Sequence, residues 1–224
     1  MATLAQESGA DRFSFADTVG CLTPSKSKSI ISKIVDEIDI PVHVHCHNDF
    51  GMGTANSLSA LEGGAQCVDL TINGLGERCG LAPLAEVITA LVSIYNKTED
   101  RWNLELIPSL TDIINKICNF NSRANQPIIG ENAFTHKAGI HSKGVLKNPV
   151  TYEAFPPQIV KRDRKILINK FSGVSTLEGK LKNLNLKLSK EELGLALAKI
   201  KSFETKNDWS EEELYFLVEN IKER

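Results

Sequence analysis

Three histidines occupy alternate positions in the run Val42-His43-Val44-His45-Cys46-His47-Asn48-Asp49-Phe50-Gly51. The apolar residues between them mark a short buried strand, in which alternate side chains face the same way. His43, His45 and His47 then project to one side, with Asn48, Asp49 and Gly51 at the exit into a loop. Two imidazoles two residues apart at a strand end are placed to share one divalent metal ion. Histidines packed or hydrogen-bonded within a core are the alternative reading. All five histidines of the chain fall between positions 43 and 141, so imidazole chemistry is confined to that stretch.

Strand–helix units surround this run. Arg12 to Ala16 reads as an aromatic-rich strand ending in Asp17-Thr18-Val19-Gly20. Thr23 is placed as an N-cap with Pro24 at the first helical position. Ile30, Ile31, Ile34, Val35 and Ile38 follow as one apolar stripe at helical spacing. Pro41 to His47 is the second strand, and Thr54 to Leu61 begins the next helix, closed by Gly63-Gly64. Cys67 to Ile72 is the third strand, leading into the glycine-rich loop Asn73 to Gly80, and Leu84 to Tyr95 is the third helix.

Strand starts thus recur at roughly 25 to 30 residues, the spacing of βα units in a parallel sheet. In a closed (β/α)8 barrel the functional residues lie in the loops after the strands. All three informative loops here follow strands, so they share one rim. Three parallel strands leave two unpaired edges and cannot close a barrel. The expectation is therefore an α/β chain made of the C-terminal three βα units of a (β/α)8 TIM barrel. Ala5 to Ser8 reads as the last turns of a helix that begins earlier, and another polypeptide supplies the other strands. A small open sheet covered by the second half is the alternative.

After Trp102 the βα rhythm stops and a mostly helical C-terminal region is expected. Leu110, Ile113, Ile114 and Ile117 have helical spacing, ending before Pro127 and Gly130. The segment around Tyr152 with Pro149, Pro156 and Pro157 reads as extended linker. Ser189 with Glu192, and Ser210 with Glu213, are capping boxes that open two amphipathic helices. These form an interaction or lid unit whose Leu and Ile stripes are core. The expected divisions are 1–125 for the partial barrel, 126–175 for a linker subdomain and 176–224 for a small helical subdomain.

A net charge of −2 argues against general nucleic-acid or membrane-surface binding. The cluster Lys161-Arg162-Asp163-Arg164-Lys165 is interrupted by an acid and has no interleaved aromatics. Five widely spaced cysteines without a Cys-x-x-Cys pair suit a reducing, cytoplasmic setting. Neither a signal peptide nor a membrane span is visible.

Four motifs, taken in order, resemble the homocitrate synthase and 2-isopropylmalate synthase family, together with the Re-type citrate synthases. They are Ala16-Asp17-Thr18-Val19-Gly20, His45 to Gly51, Asn73-Gly74-Leu75-Gly76-Glu77-Arg78, and Phe134-Thr135-His136-Lys137-Ala138-Gly139-Ile140-His141. The resemblance covers residues 1 to about 175 and is specific as a set. It implies a metal-dependent (β/α)8 barrel that condenses acetyl-CoA with a 2-oxo acid. It further implies that His45 and His47 bind a divalent ion (Mg, Mn or Zn), that Thr18 contacts the substrate carboxylate, and that His141 and Tyr152 are the catalytic helper pair reaching a partner subunit's barrel. His136 is expected to be structural.

Two departures bear on that reading. The family's first strand, carrying an arginine, an acidic metal ligand and a catalytic glutamate, has no counterpart in these residues. Isopropylmalate synthases also place an asparagine ligand directly after Gly-Glu-Arg-x-Gly, where this chain has Leu81. That leans toward homocitrate or citrate synthase and leaves two visible ligands.

The resulting expectation is an acyltransferase subunit making homocitrate from acetyl-CoA and 2-oxoglutarate. It would be inactive alone and oligomeric with a second polypeptide that supplies the N-terminal barrel half. A Re-type citrate synthase fragment using oxaloacetate, or a truncated non-catalytic chain, are the alternatives.

Overall fold

The computed structural model describes residues 1–97, 102–137 and 139–223. The chain divides into two compact units, Met1–Gly130 and Glu131–Arg224.

The first unit opens with α1 (Ala2–Glu7) and β1 (Phe13–Asp17). It continues with α2 (Pro24–Glu37), β2 (Val42–Cys46), α3 (Gly53–Glu62), β3 (Cys67–Val68), α4 (Leu84–Ser93) and α5 (Ile107–Cys118). The strands form one parallel sheet in the order β1-β2-β3. Register places Ser14 beside His43 and Ala16 beside His45. Parallel neighbours need crossover connections, and α2 and α3 supply them.

Strand alternation sorts the side chains. Val42, Val44 and Cys46 are almost fully buried, packed with Phe13, Phe15, Val68 and Ile31 in one core. The opposite face carries Ser14, Ala16, His43 and His45. A parallel sheet is ordinarily covered on both faces by apolar residues, so a polar second face on these strands is unusual. α2 begins as the sequence predicts, with Thr23 Oγ1 accepting from the Lys26 N–H at 3.4 Å and Pro24 in the first turn.

The third strand is shorter than its apolar run suggests. Pairing stops at Val68, and the chain returns only at a Thr71–Pro83 bridge. A single 3-10 turn over Ile72–Gly74 follows, with Asn73 at φ +60°. Gly80, at φ +80°, is required there, because the Gly74 carbonyl fills the space a Cβ would need. The expected helix after Trp102 is α5, and its Leu110, Ile113 and Ile117 stripe is exposed.

The second unit contains β4 (Thr135–His136), α6 (Gly139–Lys147), β5 (Lys165–Ile166), α7 (Val174–Asn183), α8 (Lys190–Lys201) and α9 (Glu211–Lys222). β4 and β5 pair in parallel. Both capping boxes form, with each serine hydroxyl accepting from the third-residue amide and each glutamate accepting from the serine amide. The stripes of α7, α8 and α9 make a core around Leu177, Leu181, Ile200, Leu214 and Ile168.

The proline-rich segment is not an extended linker. It folds into 3-10 turns at Pro149–Thr151 and Pro157–Val160. The cause is Glu153, whose side chain is only 3% exposed and is tied to Arg164 and His136. A buried carboxylate must be satisfied, and that demand compacts the segment.

Candidate functional site

β2 ends by delivering His45 and His47 to the sheet's polar face and rim. Their Nε2 atoms stand 3.2 Å apart, with ring centroids at 4.9 Å. His47 lies just beyond β2 and is held by a bridge to Leu81. Asn48 N–H also donates to the Gly80 carbonyl at 2.9 Å. The glycine loop thereby fixes the strand exit.

Behind the pair sits a chain of hydrogen bonds. His45 Nδ1 is 2.8 Å from Asp69 Oδ2, and His43 Nε2 is 2.9 Å from Asp69 Oδ1. Ser14 Oγ is 2.6 Å from His43 Nδ1. An ionised carboxylate only accepts hydrogen bonds, so both imidazole nitrogens facing Asp69 carry the hydrogen. Partial burial pushes the Asp69 carboxyl up, but the hydrogen bonds from His45 and His43 outweigh it and hold the group below the usual range. His43, on the same face, is therefore spent on Ser14 and Asp69.

With Nδ1 of His45 donating, its Nε2 keeps a lone pair aimed at His47. The buried Nδ1 of His47 has no hydrogen-bond partner. Two neutral imidazoles at this distance either share one hydrogen bond or offer two lone pairs to a cation. Nitrogen ligands about 2.1 Å from one metal ion, at roughly 100° to each other, stand about 3.2 Å apart. The pair fits a divalent ion as two of its ligands. Among the described residues no group of three or more His, Cys, Asp or Glu converges on such a position.

The rim is tied together by one guanidinium. Arg78, from the loop after β3, donates from Nε and Nη2 to the Asp49 carboxylate at 2.9 and 3.0 Å. Its Nη2 also donates to the Thr18 carbonyl at 2.7 Å. The loops after all three strands meet at this fork. The Arg78 hydrogen bonds hold the Asp49 carboxyl below the usual carboxylate range. Thr18 is exposed on the rim, while the neighbouring Asp17 carboxylate accepts from the Cys21 and Leu22 amides at 3.0 and 3.1 Å. A cleft of about 580 Å³ opens beside this rim, lined in part by Asn48, Gly74, Arg78 and Arg123.

In the second unit His141 on α6 and Tyr152 stand together, ring centroids 4.3 Å apart and planes tilted by 33°. Tyr152 ends the Pro149–Thr151 turn, and the buried Glu153 follows it directly. Arg164 donates from Nε and Nη2 to Glu153 at 2.6 and 2.5 Å, and His136 Nε2 lies 3.0 Å from Oε1. Of the two histidines in the Phe134–His141 motif, the one locked in this cluster is His136, and His141 is exposed. Ala138 of that motif lies outside the described residues.

Sequence reasoning singled out His45, His47, Thr18, His141 and Tyr152 but passed over Asp69. The signal was present: an acidic residue in the mostly apolar Cys67-Val68-Asp69-Leu70-Thr71-Ile72, one βα unit on from the histidines.

No helix among the described residues is long and apolar enough to cross a membrane. A family model described as HMGL-like matches residues 1–114, and one described as homocitrate synthase post-HMGL domain-like matches residues 128–208. The homocitrate synthase of Saccharolobus solfataricus is 40% identical over 221 residues, covering 98% of this chain and 48% of that protein. The (R)-citramalate synthase of Methanocaldococcus jannaschii is 42% identical over 195 residues, 87% of this chain and 40% of its own length. A probable 2-isopropylmalate synthase of Methanopyrus kandleri is 41% identical, covering 87% of this chain and 39% of its own. The chain thus spans about half or less of the length of these relatives. With half of its residues under the first model and most of the remainder under the second, the chain belongs to the HMGL-like family, in the branch that carries a homocitrate synthase post-HMGL region.

Proposed function

We propose that this chain is the C-terminal subunit of a condensing acyltransferase that joins acetyl-CoA to 2-oxoglutarate, giving homocitrate. The observation that carries the reading is the His45–His47 Nε2 pair at 3.2 Å on the rim of a parallel sheet. The polar second face of that sheet suits the lumen of a (β/α)8 barrel, whose strands alternate inward and outward side chains. A second polypeptide would supply the N-terminal barrel units, the remaining metal ligands and the closing strands. The homocitrate synthase match runs through 221 residues at 40% identity, beside 195 residues at 42% and 41% for the citramalate and isopropylmalate enzymes. Leu81 in place of an asparagine ligand leans away from isopropylmalate synthase, toward a homocitrate or citrate synthase.

A divalent ion held by His45 and His47 would supply Lewis acidity to the ketone oxygen of the oxo acid. Thr18 sits on the same rim and is assigned to the substrate carboxylate. The acetyl methyl group is a weak carbon acid, so condensation needs a base within hydrogen-bond reach. An imidazole is the commonest side chain for that task. His141 takes that role and Tyr152 steadies its ring and the forming oxyanion.

Co-expression with a polypeptide carrying the first barrel units, followed by an acetyl-CoA-dependent thiol-release assay, tests this. The reading expects a stable complex that releases thiol with 2-oxoglutarate. Turnover only with oxaloacetate or pyruvate would reassign the oxo acid. A complex without thiol release would overturn the enzymatic reading.

A further inference from the structure

We infer that Asp69, braced by His43 and Ser14, is a positioning residue that fixes His45 in one tautomer and one ring orientation, so that its Nε2 lone pair faces His47. The inference rests on the metal reading of the histidine pair and adds to it a residue outside the ion's reach.

The geometry leaves little freedom. Asp69 spends its two oxygens on two histidines, at 2.9 Å to His43 Nε2 and 2.8 Å to His45 Nδ1. Each of those nitrogens must donate, because the carboxylate cannot. A neutral His43 then presents a lone pair at Nδ1, which the Ser14 hydroxyl fills at 2.6 Å. The chain runs from Ser14 on β1 to His43 on β2, to Asp69 just after β3, and back to His45 on β2. It crosses all three strands, so sheet register holds the carboxylate in place. The remaining ring nitrogen, His45 Nε2, faces only His47 Nε2, at 3.2 Å. A carboxylate behind a ligating histidine fixes its tautomer and raises its basicity, and loss of such a partner typically costs about 10- to 100-fold in metal affinity.

His47 has no matching support. Its Nδ1 is buried without a partner, and without a cation its Nε2 must donate across the 3.2 Å contact to the His45 Nε2 lone pair. A cation entering between the two Nε2 atoms needs His47 to carry its hydrogen on Nδ1, while His45 is already arranged. Asp69 therefore pre-organises one half of the pair and leaves the other adjustable.

The test uses the full chain labelled with ¹⁵N-histidine, with Zn²⁺ as the probe. In the metal-free wild-type chain, His45 should show the Nδ1–H tautomer, and its resonances should shift on titration with Zn²⁺. Asp69→Asn should leave helix content and melting unchanged, mix the His45 tautomers, and weaken Zn²⁺ binding by about 10- to 100-fold. Asp69→Asn that keeps both the Nδ1–H tautomer and the Zn²⁺ affinity overturns the positioning role alone. A wild-type chain whose His45 resonances ignore Zn²⁺ both alone and in complex with the polypeptide that supplies the remaining ligands overturns the metal centre itself, and the inference with it. Should the variant fail to fold, a wild-type His45 carrying its hydrogen on Nε2 is sufficient to overturn the inference.

Discussion

The Tyr152 ring lies on the bare backbone of Gly144, where a Cβ would stand 2.5 Å from Tyr152 Cε2 and 3.0 Å from Cδ2. Gly144 is one turn beyond His141 on α6, so both present the same helix face. The glycine is the flat seat that brings the phenol against the imidazole. Gly144→Ala should displace the tyrosine while keeping α6, since alanine favours a helix interior by about 1 kcal/mol over glycine. The check is the set of nuclear Overhauser contacts between the His141 and Tyr152 rings, expected to vanish with helix content unchanged. Retained contacts would show that the seat does not depend on glycine.

Arg78 joins three loops through two oxygens of Asp49 and the Thr18 carbonyl. An ammonium group has no planar fork to make all three contacts at once. Arg78→Lys should therefore loosen the rim without unfolding the sheet. Faster hydrogen exchange at the Gly20 and Gly51 amides, with little change in melting temperature, is the expected outcome. Unchanged exchange would mean that the loops hold their shape without the fork.

The second unit should depend on pH through Glu153. Arg164 beside it holds this carboxyl below its ordinary value of 4.5, against burial and with help from His136. A depressed folded value adds stability that is fully present above the unfolded value and lost as pH falls through the folded one. Glu153→Gln should cost roughly 2 kcal/mol near neutral pH, the range for a hydrogen bond to a charged group. The gap between wild-type and variant urea midpoints should close as the pH drops below the ordinary carboxylate range. A gap that persists at the acid end would contradict the ion-pair origin.

Cysteine reactivity should divide by place in the fold. Burial pushes the Cys46 thiol up to about 11, whereas Cys21, Cys79 and Cys118 are exposed. A thiol reagent attacks the thiolate, so at mildly alkaline pH the exposed three should label readily and Cys46 only after unfolding. Mapping the labelled peptides by mass spectrometry decides this. Early labelling of Cys46 would argue against the packed core behind β2.

Much of the first unit could be read from periodicity. The apolar stripe of α2 and the Thr23–Pro24 start formed as read, and Val42, Val44 and Cys46 fill the core, although His43 and His47 on the other face are buried as well. Both capping boxes formed for a local reason: a serine and a glutamate three residues apart answer each other within one turn. Tertiary demands were less visible. An apolar run such as Cys67 to Ile72 signals burial but not the point where pairing stops. The prolines around Tyr152 suggested an extended segment, because nothing local announces that Glu153 is buried and must meet Arg164. Asp69 went unnoticed because its role exists only once β2 and β3 lie side by side.

The metal content of the proposed two-polypeptide complex tests the central claim most directly. His47→Ala removes one of the two Nε2 atoms that stand 3.2 Å apart, and a two-histidine set reduced to one no longer holds an ion firmly. Elemental analysis of the purified complex should find a divalent metal bound to the wild type and little in the variant. An equal metal content in both would contradict the assignment of this histidine pair as the metal centre.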